Sequence, residues 1–262
     1  MAAASTRHVY TPTLPCDLII PAFNEVANIG PLFDELRPLR DAGVIRHIIL
    51  ADNGSTDGTG EAAARRGAIV VCEPKRGYGA ACLAALDWFV RQPDPSALVA
   101  FLDADLADDP AALTDLLRPL ETGEAQIAIG SRIRRAEPGA LNHMQRFGNR
   151  LACALMALLA GRRFTDLGPF RAVTRAALER LTMQDRTWGW TVEMQMKAAL
   201  LDIPVIEVDV PYRSRRHGRS KISGTARGII TAGTKIIVTI LALWLRRRSI
   251  RRAATEARAT AL

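Results

Sequence analysis

Short apolar runs alternate with longer amphipathic stretches along most of this chain. The apolar runs predict strands, and the stretches in which apolar residues recur every three or four positions predict helices. The predicted strands are 18–22, 48–51, 68–72, 98–102 and 126–130. The predicted helices are 27–40, 60–66, 80–91 and 110–120. This alternation predicts an α/β fold with a doubly wound, mostly parallel sheet, and wholly apolar strands suit burial on both faces.

After residue 131 the alternation becomes less regular. Residues 132–146 are polar and predict a loop of the kind that closes over a ligand. The remaining apolar runs predict strands and helices in alternation, with helices at 151–160 and 191–200 and strands at 170–173 and 205–210. The chain is therefore expected to consist of a flexible leader, an α/β domain and a C-terminal amphipathic helix with a basic tail, at 1–14, 15–222 and 223–262.

Residues 229–245 are apolar except for threonines, a glycine and the central Lys235, and arginines 246–248 follow them. Seventeen residues lie at the lower limit for a transmembrane helix, and a central lysine costs about 3 kcal/mol on insertion. The pattern favours a helix that lies on the membrane surface and is anchored by its arginines. A helix that spans the bilayer and one packed on the domain remain the alternatives.

The charge of the chain is uneven. Lysine and arginine number 35 against 27 acidic residues, and thirteen of these cations follow residue 209, where Glu256 is the single acid. A basic end of this kind suits anionic lipid, and the absence of a nucleic-acid motif makes a membrane surface the expected partner. Four scattered cysteines without metal-ligand spacing indicate a reducing compartment. The expected location is therefore the cytoplasmic face of a membrane, with peripheral or weak anchoring through the C-terminal helix.

Two carboxylates, Asp103 and Asp105, follow the apolar run 98–102. Residues two apart on an extended chain point to the same side, and ligands of open α/β sheets bind at the carboxyl ends of the strands. Paired carboxylates suit Mg²⁺ or Mn²⁺ together with the phosphates of a ligand. Asp109 precedes Pro110, which predicts instead that it caps the next helix.

Further polar clusters follow other predicted strands, at Pro21–Glu25, Ala51–Thr59 and Gly130–Arg132. Three later segments add to them, and these are Asp166–Arg171, Trp190–Glu193 and Arg215–Lys221. Together with the Asp103/Asp105 pair they resemble, over about residues 16–235, the family 2 glycosyltransferases of the GT-A (Rossmann-like) fold. The likeness is to the branch that includes the dolichol- and polyprenol-phosphate mannosyltransferases.

The resemblance implies a role for each matching residue. The implied metal ligands are Asp103 and Asp105, and the implied catalytic residues are Asp105, Arg132, Arg219 and Lys221. The implied nucleotide site is Pro21, Ala22, Asn24, Glu25, Asp52, Asp103 and Ala104. The implied acceptor and sugar site is Asp166, Trp190, Glu193, Arg213 and Arg215. Structural alternatives stay open, since Glu25 can complement a helix N-terminus, Trp190 can fill the core and Glu193 can lie on a solvated helix face.

The implied reaction is an inverting transfer from a nucleoside-diphosphate sugar, of the GDP-mannose or UDP-glucose class, to a polyprenyl phosphate. That acceptor is already an anion, so a cationic cluster is expected rather than a carboxylate base. One alternative is a soluble family 2 enzyme with a small phosphorylated or hydroxyl acceptor and Glu193 as base, and another is a catalytically degenerate nucleotide-binding membrane protein. Asn53 and Ala107 depart from the family pattern, which has a second acid and a glutamine there, so the sugar stays open.

Overall fold

The computed structural model describes residues 12–216 and 226–260, with the side chains of 12–216 and 233–256. Its strands form one seven-stranded sheet in the order β3-β2-β1-β4-β6-β5-β7. They are β1 (Cys16–Ala22), β2 (Ile45–Asp52), β3 (Ile69–Cys72), β4 (Leu98–Phe101), β5 (Ile127–Ser131), β6 (Arg171–Thr174) and β7 (Val205–Asp209). All neighbours pair in parallel except β6, which runs antiparallel to both β4 and β5. The predicted mostly parallel α/β sheet is confirmed.

Helices cover both faces of this sheet. They are α1 (Val26–Asp41), α2 (Thr59–Arg65), α3 (Tyr78–Val90), α4 (Leu113–Glu121), α5 (His143–Ala160), α6 (Arg175–Leu181), α7 (Trp190–Leu200), α8 (Ala226–Leu245) and α9 (Arg247–Thr260). Alternate strand residues enter opposite cores, because successive side chains of a strand point to opposite faces. In β1, Ile19 lies in one core while Leu18 and Ile20 lie in the other.

Several element boundaries differ from the sequence predictions. Helix α5 begins at His143, eight residues before its predicted start at 151, because Asn142 and Gln145 form a capping box. Its polar first turns resemble a loop in sequence. The helix predicted at 110–120 begins with a 3₁₀ turn, Pro110–Ala112, and Asp109 accepts a hydrogen bond from the Ala111 N–H at 3.1 Å. The predicted cap is confirmed.

The C-terminal region packs on the domain through two helices. Helix α8 contacts α5 and α7, and its Ile240 is fully buried in the core. The Lys235 Nζ lies 3.2 Å from Asp185 Oδ2, so the cation that interrupts the apolar run has an ionic partner in the domain. The predicted basic tail is instead helix α9, whose Arg251 donates to the carbonyl of Leu200 at 2.9 Å. None of the described helices combines the length and apolar character that a bilayer crossing requires.

One close backbone approach brings two parts of the domain together. A Cβ at Gly168 would overlap the carbonyl oxygen of Gly130, and a Cβ at Gly130 would press on Val210 Cγ2 at 2.9 Å. Glycine at both positions lets the 165–169 turn lie directly on the end of β5. This contact sets the separation of Arg132 and Asp166, which flank the two glycines.

We expect Gly168→Ala to lower the free energy of unfolding by about 1–3 kcal/mol, since the added methyl has to push the two backbones apart. The matched control is Gly148→Ala in α5, where a Cβ meets nothing within 4 Å. That substitution is expected to leave the stability unchanged or raise it by up to about 1 kcal/mol through helix propensity. Denaturant unfolding measures both, and equal effects would refute the close-approach argument.

Candidate active site

The loops that follow β1 and β2 are joined side by side at the carboxyl edge of the sheet. The Asn24 N–H donates to Ser55 Oγ at 2.9 Å, and the Thr56 N–H donates back to Asn24 Oδ1 at 2.8 Å. The Glu25 N–H donates to Thr59 Oγ1 at 2.9 Å. The residues predicted for the nucleotide from these loops, Pro21, Ala22, Asn24, Glu25 and Asp52, are therefore brought together. Pro21 and Ala22 lie within β1 itself, where Ala22 pairs with Asp52 of β2.

Asn53 organises a third loop at this edge. Its amide nitrogen donates to the carbonyls of Glu73 and Lys75, at 2.9 and 2.8 Å, and its amide oxygen accepts from the Gly77 N–H at 2.8 Å. A carboxylate accepts but does not donate at neutral pH, so an acid here would lose both carbonyl contacts. This departure from the family pattern therefore has a structural explanation: Asn53 holds the loop that leads into α3.

The two candidate metal ligands follow strand β4 and are not part of it. Strand β4 ends at Phe101, and Leu106, directly after the pair, has a φ of 61°. Asp103 Oδ1 accepts from the Tyr78 hydroxyl at 3.0 Å. Asp105 Oδ1 accepts from the Ala107 N–H at 3.0 Å, and its Oδ2 lies 2.8 Å from Arg215 Nη2. Ala104, between them, is buried.

The two carboxylates nevertheless interact. Burial, with the negative charge of Asp105 adding to it, raises the pKa of Asp103 from 3.8 to about 7. A cation near both groups would relieve this repulsion, and hard carboxylate oxygens fit Mg²⁺ or Mn²⁺. Among residues 12–216 and 233–256, no three His, Cys, Asp or Glu side chains converge on one point. The pair therefore suits a metal that takes its remaining ligands from substrate phosphates and water.

Asp108 is a buried acid beside this pair. Neither of its carboxylate oxygens has a hydrogen-bond partner in the described part of the chain. Burial raises its pKa well above the ordinary value, against the opposing charge of Arg132, and so favours the neutral acid. Ala107, the residue that replaces the family's glutamine, packs its methyl against Leu141 and Tyr212.

Arg132 and Asp166 form a bidentate ion pair. Arg132 Nε and Nη2 donate to Asp166 Oδ2 and Oδ1, both at 2.8 Å, and the Arg132 backbone N–H also donates to Oδ2 at 2.8 Å. Asp166 is fully buried. Although burial alone lowers the pKa of an arginine, the hydrogen bonds to Asp166 raise the pKa of Arg132 above its ordinary value. Its guanidinium carbon lies 5.1 Å from the ring centre of Tyr212.

Residues 212–216, which we call the strap, lie over the 105–109 turn. The Arg213 N–H donates to the Ala107 carbonyl at 2.7 Å, and its guanidinium reaches Asp109 at 2.9 Å and Glu35 at 3.2 Å. Arg215 reaches Asp105. The predicted residues Arg132, Arg213 and Arg215 are thus brought to the acidic segment 103–109, which we call the acidic turn. Arg219 and Lys221, the other predicted cations, lie outside the described residues.

Trp190 and Glu193 are placed in the core. Trp190 is 1% exposed, and its ring meets that of Phe101 edge-on at 5.9 Å. The Glu193 carboxylate lies 2.8 Å from Lys197 Nζ and accepts from the backbone N–H groups of Gln184 and Asp185. Glu193 thus does not lie on a solvated helix face. Their contact with sugar or acceptor stays a prediction, and packing alone accounts for both environments.

Several residues that support the site were missed by sequence reasoning. Glu207 of β7 accepts from the Thr165 and Asp166 N–H groups, and Gln195 of α7 donates to the Asp166 carbonyl at 2.9 Å. Asn149 of α5 donates to the Thr165 carbonyl and accepts from the Leu167 N–H, both at 2.8 Å. Each lies in an element that carries other polar residues as well, so no local sequence signal singled it out.

Comparison with known proteins decides the family. The model of the family described as "Glycosyl transferase family 2" matches residues 17–182. The chain belongs to this family. An uncharacterised glycosyltransferase of Mycobacterium tuberculosis is 36% identical over 188 residues, which is 70% of this chain and 81% of that protein.

Two further proteins carry more specific names. The polyprenol monophosphomannose synthase of Mycolicibacterium smegmatis is 31% identical over 233 residues, which is 82% of this chain and 83% of that protein. The crystal structure of glucosyl-3-phosphoglycerate synthase from Mycobacterium tuberculosis in complex with Mn²⁺, UDP and phosphoglyceric acid has a TM-score of 0.67. It is 24% identical, and the match covers 88% of this chain and 79% of that one. The GT-A-like fold of this glycosyltransferase agrees with the expectation from sequence.

A proton on Asp103 competes with any cation at this site. Because the raised pKa is about 7, we expect the apparent Mn²⁺ affinity to fall by up to tenfold for each pH unit below 7 and to level off above it. The Tyr78 hydroxyl opposes the shift by stabilising the carboxylate, so Tyr78→Phe is expected to move the midpoint to higher pH. Titration of Mn²⁺ by electron paramagnetic resonance from pH 5.5 to 8 measures both. A constant affinity over this range would contradict the assignment of Asp103 as a ligand.

Proposed function

We propose that this glycosyltransferase transfers a sugar from a nucleoside-diphosphate sugar to the phosphate of a polyprenyl lipid, at the cytoplasmic face of a membrane. The acidic turn and the cations around it supply the donor side. The observation that carries the lipid acceptor is a pair of exposed apolar stripes on α5 and α8, two helices that contact each other.

The first stripe lies on α5. Met144, Phe147, Leu151 and Leu158 recur at spacings of three, four and seven residues, so they share one face of the helix. Phe147 is 64% and Leu158 is 79% exposed. The same helix carries Asn149, which contacts the turn that holds Asp166. An apolar surface is thus part of the helix that borders the candidate site.

The second stripe lies on α8, where Val238, Leu241 and Leu245 share one face and are exposed. The opposite face carries Ile240 into the core. Exposed arginines follow at Arg246 and Arg248, and Arg247 stacks over Trp244 at 4.3 Å. Apolar side chains next to arginines suit the boundary between acyl chains and anionic headgroups. An enzyme that acts on a small, soluble acceptor has no evident need for such a surface.

The chemistry follows from the residues of the site. A divalent cation on Asp103 and Asp105 would neutralise the departing nucleoside diphosphate as a Lewis acid. Asp52 and the loops at Asn24 and Asn53 would hold the nucleoside. Arg132, fixed by Asp166, and the arginines of the strap would bind phosphate through their planar donors. The acceptor phosphate oxygen would attack the anomeric carbon from the face opposite the diphosphate, which inverts the configuration.

Replacement of Asp105 tests the donor side. We expect Asp105→Asn to reduce transfer at least 100-fold while the circular dichroism spectrum and melting temperature stay close to those of the wild type. The control is Asp41→Asn, which removes the same charge from an exposed position at the end of α1. Transfer is measured with radiolabelled GDP-mannose, UDP-glucose and UDP-N-acetylglucosamine, each offered with a polyprenyl phosphate. Substantial residual transfer in the presence of Mg²⁺ or Mn²⁺ would refute the metal role.

Replacement of stripe residues tests the lipid side. We expect Phe147→Ser with Leu158→Ser to weaken flotation with vesicles of anionic phospholipid about tenfold, because two exposed apolar anchors are lost. Lipid-linked product is expected to fall in parallel, whereas hydrolysis of the donor is unaffected. Val90→Ser, a 57% exposed position on α3, is the matched control. Equal flotation of the stripe and control variants would contradict the membrane assignment.

A small phosphorylated acceptor is the second candidate, and the fold shared with a synthase crystallised with phosphoglyceric acid favours it. The same assay separates the two. Product in the organic phase supports the lipid acceptor, and product confined to the aqueous phase with 3-phosphoglycerate supports the soluble one.

A further inference from the structure

Arg215 pairs with one carboxylate oxygen of Asp105, a candidate metal ligand. The Asp105 side chain is 6% exposed, and both of its carboxylate oxygens are engaged, one by the Ala107 N–H and the other by Arg215 Nη2 at 2.8 Å. The Arg215 side chain is one third exposed, so it reaches the carboxylate from the solvent side. A cation that binds Asp105 through Oδ2 therefore competes with this guanidinium for the same oxygen.

The other cations of the strap have different partners. Arg213 is held by Asp109 and Glu35, and Arg216 by Glu35 at 3.4 Å. The Ser214 N–H donates to Glu137 Oε2 at 3.2 Å. Arg213 is therefore fixed by two acids outside the metal pair, whereas Arg215 has its ion pair with a candidate metal ligand. The strap can keep its Arg213 anchor while the Arg215 side chain moves.

We propose that Arg215 is an internal counter-cation that holds Asp105 in the metal-free protein and is released to the acceptor phosphate when the divalent cation binds. The proposal rests on the metal role of Asp105 stated above. It extends that role, because a single side chain of the strap, Arg215, then links the donor side of the site to the acceptor side.

Two consequences follow from the competition between Arg215 and a metal ion for Asp105. The apparent affinity of Asp105 for the metal is lower than the intrinsic affinity, because the metal has to compete with Arg215. An anion that attracts the released guanidinium, such as the acceptor phosphate, must strengthen metal binding by the same factor that the metal strengthens anion binding. Metal and acceptor are thereby coupled without any rearrangement of the sheet.

The test is Mn²⁺ binding to the full chain, measured by electron paramagnetic resonance without nucleotide or acceptor. We expect Arg215→Gln to tighten Mn²⁺ binding about two- to fivefold, the effect of removing one competing, partly exposed ion pair. Arg216→Gln removes the same charge one residue away and is expected to change the affinity less than twofold. The difference between the variants separates direct competition from the general effect of charge.

Each outcome decides the proposal. Binding to Arg215→Gln that is equal to or weaker than binding to Arg216→Gln would overturn it, because Arg215 would then be neutral or would help to position Asp105. Arg215→Lys, which keeps the charge but lacks the planar fork, is expected to lie between the wild type and Arg215→Gln. Failure of the underlying metal role is recognised separately, since Asp105→Asn would then leave Mn²⁺ binding unchanged.

Discussion

The buried ion pair of Arg132 and Asp166 is the interaction on which the candidate site depends. Asp166 accepts from the side chain and backbone of Arg132, while Glu207, Gln195 and Asn149 hold the turn around it. Those three residues come from β7, α7 and α5. A buried pair of this kind contributes little net stability, but loss of one partner leaves an unpaired charge at a cost of about 3–5 kcal/mol. The main contribution of this ion pair is to position the site, because it holds the turn contacted by β7, α7 and α5 at the end of β5.

That position sets the charge balance of the site. Asp103, Asp105 and Asp108 lie close enough to influence one another, and Arg132 and Arg215 are the cations that act on them. The three acids outnumber the two cations. The raised pKa of Asp108 favours its neutral form, and Asp103, with a pKa near 7, is partly protonated at neutral pH. A site that holds its own carboxylates partly protonated gains from a divalent cation and a diphosphate arriving together. The strap supplies a temporary substitute for that cation.

The fold was largely predictable because its signals are local. Apolar strands that alternate with amphipathic helices identify the sheet, and Asp109-Pro110 identifies a helix start. What was missed is non-local. The antiparallel direction of β6 depends on pairing with β4 and β5, and the start of α5 depends on a capping box within a polar stretch. The role of Asn53 depends on carbonyls twenty and more residues away.

The site shows the same division between residue identity and geometry. Motif resemblance selected Asp103, Asp105, Arg132 and Asp166, and the fold brings them to one edge. It did not foresee the left-handed backbone at Leu106, directly after the Asp pair, which no motif encodes. Nor did it foresee Tyr78, which reaches Asp103 from the first turn of α3.

The strap connects the two ends of the proposed reaction. Residues 217–225 join it to α8, the helix that carries the second apolar stripe, and they include Arg219 and Lys221. Nine residues span at most about 30 Å, so Arg215 and the start of α8 are separated by only one short chain segment. A lipid phosphate is tethered to its membrane and reaches the sugar only near that surface. An acceptor of this kind would therefore meet the arginines of the strap, which lie beside Asp105 and Asp109.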